Sequence, residues 1–140
     1  MNNNILSLKK DINDIGYYNH FYLKKLNLTN FRNHSSLSMK TPESAILIYG
    51  ENGCGKTNIL EAISLLSQGK GIRKSKIEDY FTQSVFNNNP QKSWGINADI
   101  ITPDGNMNIG TGSKENSQKK SRIIRVNAEN CSQVELGKIL

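Results

Sequence analysis

Eight residues constrain this chain more than any others: Gly50-Glu51-Asn52-Gly53-Cys54-Gly55-Lys56-Thr57. The spacing Gly-x-x-x-x-Gly-Lys-Thr is that of a phosphate-binding loop, and it dictates local structure on both sides. Backbone N–H groups must converge on one concavity to meet phosphate oxygens, which needs backbone angles that glycine adopts at little cost. The loop must also lead directly into a helix, whose positive N-terminal end favours the anion. The flanks comply. Ala45-Ile46-Leu47-Ile48-Tyr49 is a short continuous apolar run and reads as a strand buried on both faces. Downstream, Ile59, Ile63 and Leu66 recur at i, i+4 and i+7, with Leu60, Ala62 and Leu65 widening the apolar surface. That spacing predicts a mostly buried helix from Thr57 to Ser67, ended by Gly69 and Gly71.

The residue types assign roles within the loop. Lys56 is expected to reach the β- and γ-phosphates as a point charge, and Thr57 to place its hydroxyl on Mg²⁺, a hard cation that prefers oxygen. Gly50, Glu51, Asn52, Gly53, Cys54 and Gly55 supply the backbone cradle. The expected ligands are a nucleoside triphosphate and Mg²⁺; the loop alone does not choose ATP over GTP. Cys54 occupies a variable position, where a helix N-terminus lowers thiol pKa and permits redox sensing. A small residue that simply fits there is the plainer reading.

Outside the loop the chain looks like an ordinary globular protein. Its 140 residues allow one domain, and 36% are hydrophobic, 21% charged, with no apolar run near the roughly 18 residues of a membrane span. Met1 to Leu8 lacks the charged start and sustained apolar stretch of a signal peptide. The two cysteines, Cys54 and Cys131, form no disulfide framework and suit a reducing cytoplasm. A net charge of +6 favours an anionic partner, nucleic acid first. The frequent Lys, Asn and Ile are also what AT-rich coding DNA produces, and that alone would raise the charge.

Residues 1–20 are Asn-rich without a clean period and read as a poorly ordered extension, leaving 21–140 as the structured part. Leu26 and Leu28 alternate with polar neighbours up to Phe31, predicting a half-buried strand. The turn Arg32-Asn33-His34 and a second, antiparallel strand over Ser36 to Lys40 follow. Farther on, Trp94 to Ile101 and Met107 to Ile109 flank Thr102-Pro103-Asp104-Gly105, a hairpin signal. Residues 112–121 are polar and read as a solvated loop; Arg122 to Val126 is a strand, Asn127 to Asn130 a turn, and Ser132 the N-cap of a short final helix.

Flanking residues narrow the loop's meaning. Tyr22 to His34, with its Asn30-Phe31-Arg32-Asn33 turn, then Ile46 to Gly53, then Asn58-Ile59-Leu60-Glu61-Ala62-Ile63 and the exit Gly69-Lys70-Gly71-Ile72-Arg73 together resemble the N-terminal region of the RecF family of ABC/SMC-like ATPases. The resemblance covers about residues 22 to 140 and implies an α/β fold: the N-terminal lobe of an ABC-type head, an antiparallel β portion around one strand–loop–helix unit. It implies ATP as the nucleotide and places Arg32 and Asn33 over its phosphates; from the residues alone that turn is equally well solvated. It also implies DNA binding in recombinational repair and replication, an ATP-dependent homodimer, and the mediator proteins RecR and RecO as partners. Lys70, Arg73, Lys74 and Lys76, four cations within seven residues, become candidates for sequence-independent contacts to the DNA backbone, against the alternative of an exposed charge run. A second group, Lys114, Lys119, Lys120, Arg122 and Arg125, is the lesser candidate for such contacts, because loop lysines are commonly just solvated.

The chain also departs from the family pattern. It contains no apolar strand ending in Asp-Glu and no signature motif, so binding is expected and hydrolysis by this chain alone is not. Two rivals stand beside a repair ATPase. One is another ABC/SMC-like head, which the Asn-Phe-Arg-Asn turn opposes for a transporter. The other is a non-functional product, which exposed apolar surface would support.

Overall fold

The computed structural model of the chain describes residues 21–81, 93–116 and 119–139. The extension expected over 1–20 lies outside the described residues. Six strands are present: β1 (Tyr22–Phe31), β2 (His34–Lys40), β3 (Gly95–Thr102), β4 (Gly105–Asn116), β5 (Lys119–Val126) and β6 (Glu129–Asn130). They form one sheet in the order β2-β1-β3-β4-β5-β6, with every neighbouring pair antiparallel. Helix α1 (Lys56–Ser64) follows the phosphate loop, a 3₁₀ turn covers Ile77–Tyr80, and helix α2 (Gln133–Ile139) follows β6.

Alternation along the strands builds the core. Leu26 and Leu28 of β1 face Ala98 and Ile96 of β3; Ala98 in turn opposes Ile109 of β4, and Thr111 opposes Ile124 of β5. All of these are buried, and α1 with the turn after it adds Ala62, Leu65 and Leu66 from above, while α2 adds Leu136. Phe31, Tyr80 and Trp94 form an aromatic trio with ring centroids 5.1–5.6 Å apart, joining the end of β1 to the 3₁₀ turn and the approach to β3. Each such buried side chain contributes about 1.5–3 kcal/mol relative to exposure.

Two expectations fail. Residues 112–116 and 119–121 are not a free loop: β4 and β5 extend through them as paired antiparallel strands, with Ser113 opposite Arg122 and Glu115 opposite Lys120. Inward Thr111 and Ser113 are satisfied there, the first donating to Ile123 O (2.9 Å) and the second accepting from Trp94 N (3.4 Å), so polar composition does not stop the ladder. Gly112 permits the close approach, since a Cβ there would come 2.5 Å from Trp94 O. The second failure is Ala45 to Tyr49, which pairs with no strand among the described residues and is exposed, Leu47 at 84% and Tyr49 at 86%. A strand buried on both faces needs hydrogen-bonding neighbours and a covering layer, and the described strands pair elsewhere.

Candidate functional site: the phosphate loop and its supporting turn

The loop has the backbone its sequence demands. Gly50, Gly53 and Gly55 take φ of 150°, 84° and 99°, values costly for any residue with a Cβ. Gly55 caps α1 directly: its carbonyl accepts from Asn58 N (3.0 Å) and Ile59 N (3.1 Å), starting the helix. The Lys56 ammonium turns back on the loop, donating to Gly50 O and Glu51 O at 2.7 Å each, with Cys54 Sγ at 3.8 Å. Thr57 is exposed on the first turn of α1. Its hydroxyl is a hard oxygen ligand of the kind Mg²⁺ takes, with phosphate oxygens and water able to supply the others.

The two-residue turn between β1 and β2 rests on this loop. Phe31 pairs with His34, leaving Arg32 and Asn33 at the tip. Asn33 Nδ2 donates to Gly53 O at 3.4 Å, its Oδ1 accepts from Asn58 Nδ2 at 2.8 Å, and His34 Nε2 lies 3.2 Å from Gly55 O. A Cβ at Gly55 would fall 2.6 Å from both Asn33 Oδ1 and His34 Nε2, so this glycine admits the turn as well as the loop's own bend.

Arg32 points into a buried cluster. Its φ is +55°, a left-handed conformation worth about 1–2 kcal/mol of strain, held by a hydrogen bond from its own N–H to Tyr80 O (2.8 Å). The guanidinium forks onto Glu61 (Nε–Oε2 2.9 Å, Nη2–Oε1 2.8 Å), donates to Ser75 Oγ and Asp79 O at 2.7 Å, and lies 5.1 Å above the Tyr80 ring. Glu61 is 0% exposed. Such bidentate geometry, with further donors, satisfies the hydrogen-bonding capacity of a buried carboxylate.

The four basic candidates separate. Arg73 is committed to the same cluster, with Nη1 donating to Asn58 Oδ1 (2.9 Å) and Glu61 Oε2 (3.3 Å). Lys70, Lys74 and Lys76 are exposed and rim a cavity of about 360 Å³ whose wall includes Tyr80 and Arg122. Arg122 is not solvated as expected. It donates to Thr111 Oγ1 (2.8 Å), Gly69 O (2.6 Å) and Leu65 O, so a β5 cation holds the carbonyls that follow α1. Burial pushes its pKa down from the usual guanidinium value, and burial likewise raises the Tyr80 phenol, with the Glu61 charge adding to the rise. The phenol O–H bonds Lys70 O (3.2 Å) and Ser75 O (3.3 Å), pinning the exit loop from inside.

Sequence reasoning missed Asn58 and Glu61 and discounted His34. The available signal was Glu61 itself, a carboxylate one helical turn from Asn58 and Leu65.

Residues 22–140 match the model for the RecF/RecN/SMC N terminal domain. The chain belongs to that family. It is 36% identical over 114 residues to the DNA replication and repair protein RecF of Mesorhizobium japonicum, covering 81% of this chain and 29% of that protein. With RecF of Brucella abortus strain 2308 it shares 34% over 121 residues, 84% of this chain and 30% of that one. The chain therefore spans less than a third of the RecF relatives it matches. Among solved structures, the recombination mediator protein RecF with ATPrS in the RecFOR pathway superposes with a TM-score of 0.71 at 29% identity, covering 84% of this chain and 30% of that one. The SMC head domain from Thermotoga maritima gives 0.68 at 19% identity over 84% and 41%, which shows a shared fold. The antiparallel sheet with its phosphate-loop helix is thus the N-terminal lobe of a RecF/SMC-type head. No helix among the described residues is long and apolar enough to cross a membrane.

Proposed function

We propose that the chain binds ATP with Mg²⁺ on residues 50–57, as the nucleotide-binding portion of a RecF-like DNA replication and repair protein. One observation carries the reading: three glycines in left-handed or related conformations lead into the N-terminus of α1, with Lys56 beside them, in a member of the RecF/RecN/SMC family. Lys56 would leave its loop carbonyls for the phosphates, Thr57 would hold Mg²⁺, and Asn33 would border the site. Arg32 acts from behind, through Glu61, because four of its five N–H groups are already engaged. The solved RecF structures named with ATP and ATPrS support this choice of nucleotide. The activity read here is binding; turnover, the ATP-dependent dimer and RecR and RecO as partners belong to the reading of a whole RecF-like protein in the cytoplasm.

Calorimetry tests the nucleotide claim. Lys56→Ala is expected to abolish ATP binding while leaving the unfolding midpoint nearly unchanged; equal affinity in mutant and parent refutes it. DNA contact rests first on Lys70, Lys74 and Lys76, since Arg73, though partly exposed, has its Nη1 bonded to Asn58 and Glu61. Reversing these three lysines to Glu should weaken DNA binding and reduce its salt slope by about one unit per lost phosphate contact. An unchanged slope removes that surface from the reading.

A second reading, a product that neither binds nor folds well, is favoured by the exposed Leu47 and Tyr49. Absence of a cooperative unfolding transition would select it.

A further inference from the structure

Glu61 shares no hydrogen bond with residues 50–57 through its carboxylate, yet it closes a circuit that ends on the loop. Starting at Gly53 O, Asn33 Nδ2 donates to it (3.4 Å); Asn33 Oδ1 accepts from Asn58 Nδ2 (2.8 Å); Asn58 Oδ1 accepts from Arg73 Nη1 (2.9 Å). Arg73 Nη1 also reaches Glu61 Oε2 (3.3 Å), and the same oxygen accepts from Arg32 Nε (2.9 Å). The peptide bond from Arg32 to Asn33 completes the ring. Ser75 joins through its hydroxyl, 3.3 Å from Glu61 Oε1. Two segments distant in sequence, the turn at Arg32 and the exit loop at Arg73 and Ser75, thus meet on one carboxylate carried by α1.

We propose that Glu61 is the positioning residue of the phosphate loop, setting the Asn33 contact to Gly53 through Arg32 and Asn58, and tying the basic exit loop to the same unit through Arg73. Each link rests on a charge or an oriented amide. Arg32 carries a strained φ that needs its guanidinium anchored, and Asn33 inherits its placement from it. Removing the negative charge while keeping the shape, as in Glu61→Gln, puts an amide N–H₂ or a single neutral carbonyl before two guanidinium groups. Arg32 then loses its fork and Arg73 its single ion-pair contact, and the turn loses its register on the loop. The carboxylate is taken up by Arg32, Arg73 and Ser75, so the role proposed for it is positioning.

The inference rests on the nucleotide reading only for its affinity arm. In the apo chain, hydrogen exchange at the Arg32, Cys54, Asn58 and Lys74 amides should accelerate about tenfold in Glu61→Gln while Ile109 amide exchange in β4 stays as in the parent. Unchanged exchange at the loop overturns the proposal, and so does a uniform acceleration that includes β4, because that marks a merely structural loss. In calorimetry, ATP affinity should fall about tenfold in Glu61→Gln and in Asn33→Ala, with the double variant no weaker than the worse single. Losses that multiply overturn the route through the turn. Glu61→Asp should restore part of the affinity, whereas Leu65→Ala, a buried neighbour on the same helical face, should lower stability and leave affinity intact. If parent and Lys56→Ala bind ATP equally, the nucleotide reading falls and the exchange measurement alone decides the role of Glu61.

Discussion

The sheet and the loop–helix side of this lobe are held together by different forces. Within the sheet, Leu26, Leu28, Ile96, Ala98 and Ile109 are buried side by side, each on a strand with an antiparallel neighbour. On the other side, Ile46, Leu47, Tyr49, Leu60 and Ile72 remain exposed, and α1 is attached by one apolar edge. What fixes that helix in orientation is polar: Glu61 with its two arginines at one end, Arg122 on the Leu65 and Gly69 carbonyls at the other. Hydrophobic burial is non-directional and tolerates repacking, whereas forked hydrogen bonds fix geometry. The loop–helix side uses the directional interactions.

That contrast can be broken by substitution. The largest effect is expected in the sheet: Leu28→Ala should cost about 2–5 kcal/mol, read as a lowered urea midpoint. Leu47→Ser should stay within about 0.5 kcal/mol by the same measurement, and should reduce self-association in light scattering. Equal costs would erase the distinction between the two regions. Arg122→Met keeps the aliphatic stem but strips the donors, and should cost about 1–3 kcal/mol through the stranded carbonyls.

Tyr80→Phe keeps the aromatic trio and removes only the hydroxyl that holds Lys70 O and Ser75 O, for about 1 kcal/mol. The pH dependence sharpens it. The folded phenol is raised above its ordinary value, so its contribution is complete below that value and is lost as pH rises through the folded pKa. The phenylalanine variant should lack that alkaline loss.

The smallest effect lies at α2. Glu135 accepts from Ser132 N (2.7 Å) while Ser132 Oγ accepts from Glu135 N (3.2 Å), a reciprocal cap that holds the carboxyl below its ordinary pKa. Its contribution is present above the unfolded value and disappears as pH falls through the folded one. NMR titration of Glu135 should show a depressed midpoint, with the helix end fraying in step.

Much of this was legible in the sequence, and the exceptions share a cause. The alternation of Leu26 and Leu28, the hairpin at Thr102 to Gly105 and the Ser132 cap are local signals, and each element formed; the stripe of Ile59, Ile63 and Leu66 gave a helix that ends at Ser64, short of the expected Ser67, with Leu60 exposed. Ala45 to Tyr49 misled because apolar content records a need for burial and not the presence of neighbours. The β4–β5 pair misled because its pairing is supplied across strands, by residues whose own composition is polar. At the candidate site, the bends at Gly50, Gly53 and Gly55 were readable because glycine spacing answers to local backbone geometry. Glu61 was not, because its meaning depends on Arg32 and Arg73, distant in the chain and adjacent only after folding.

Gly55 carries a consequence for reading sequences of this kind. Its missing Cβ is required twice, once for the loop's bend and once so that Asn33 and His34 can dock against it. A descendant that abandoned its ligand would still be selected to keep this glycine, simply to fold. Its survival in a sequence records an architecture, and the test of a living site must come from Lys56 and Thr57, whose side chains the fold itself scarcely needs.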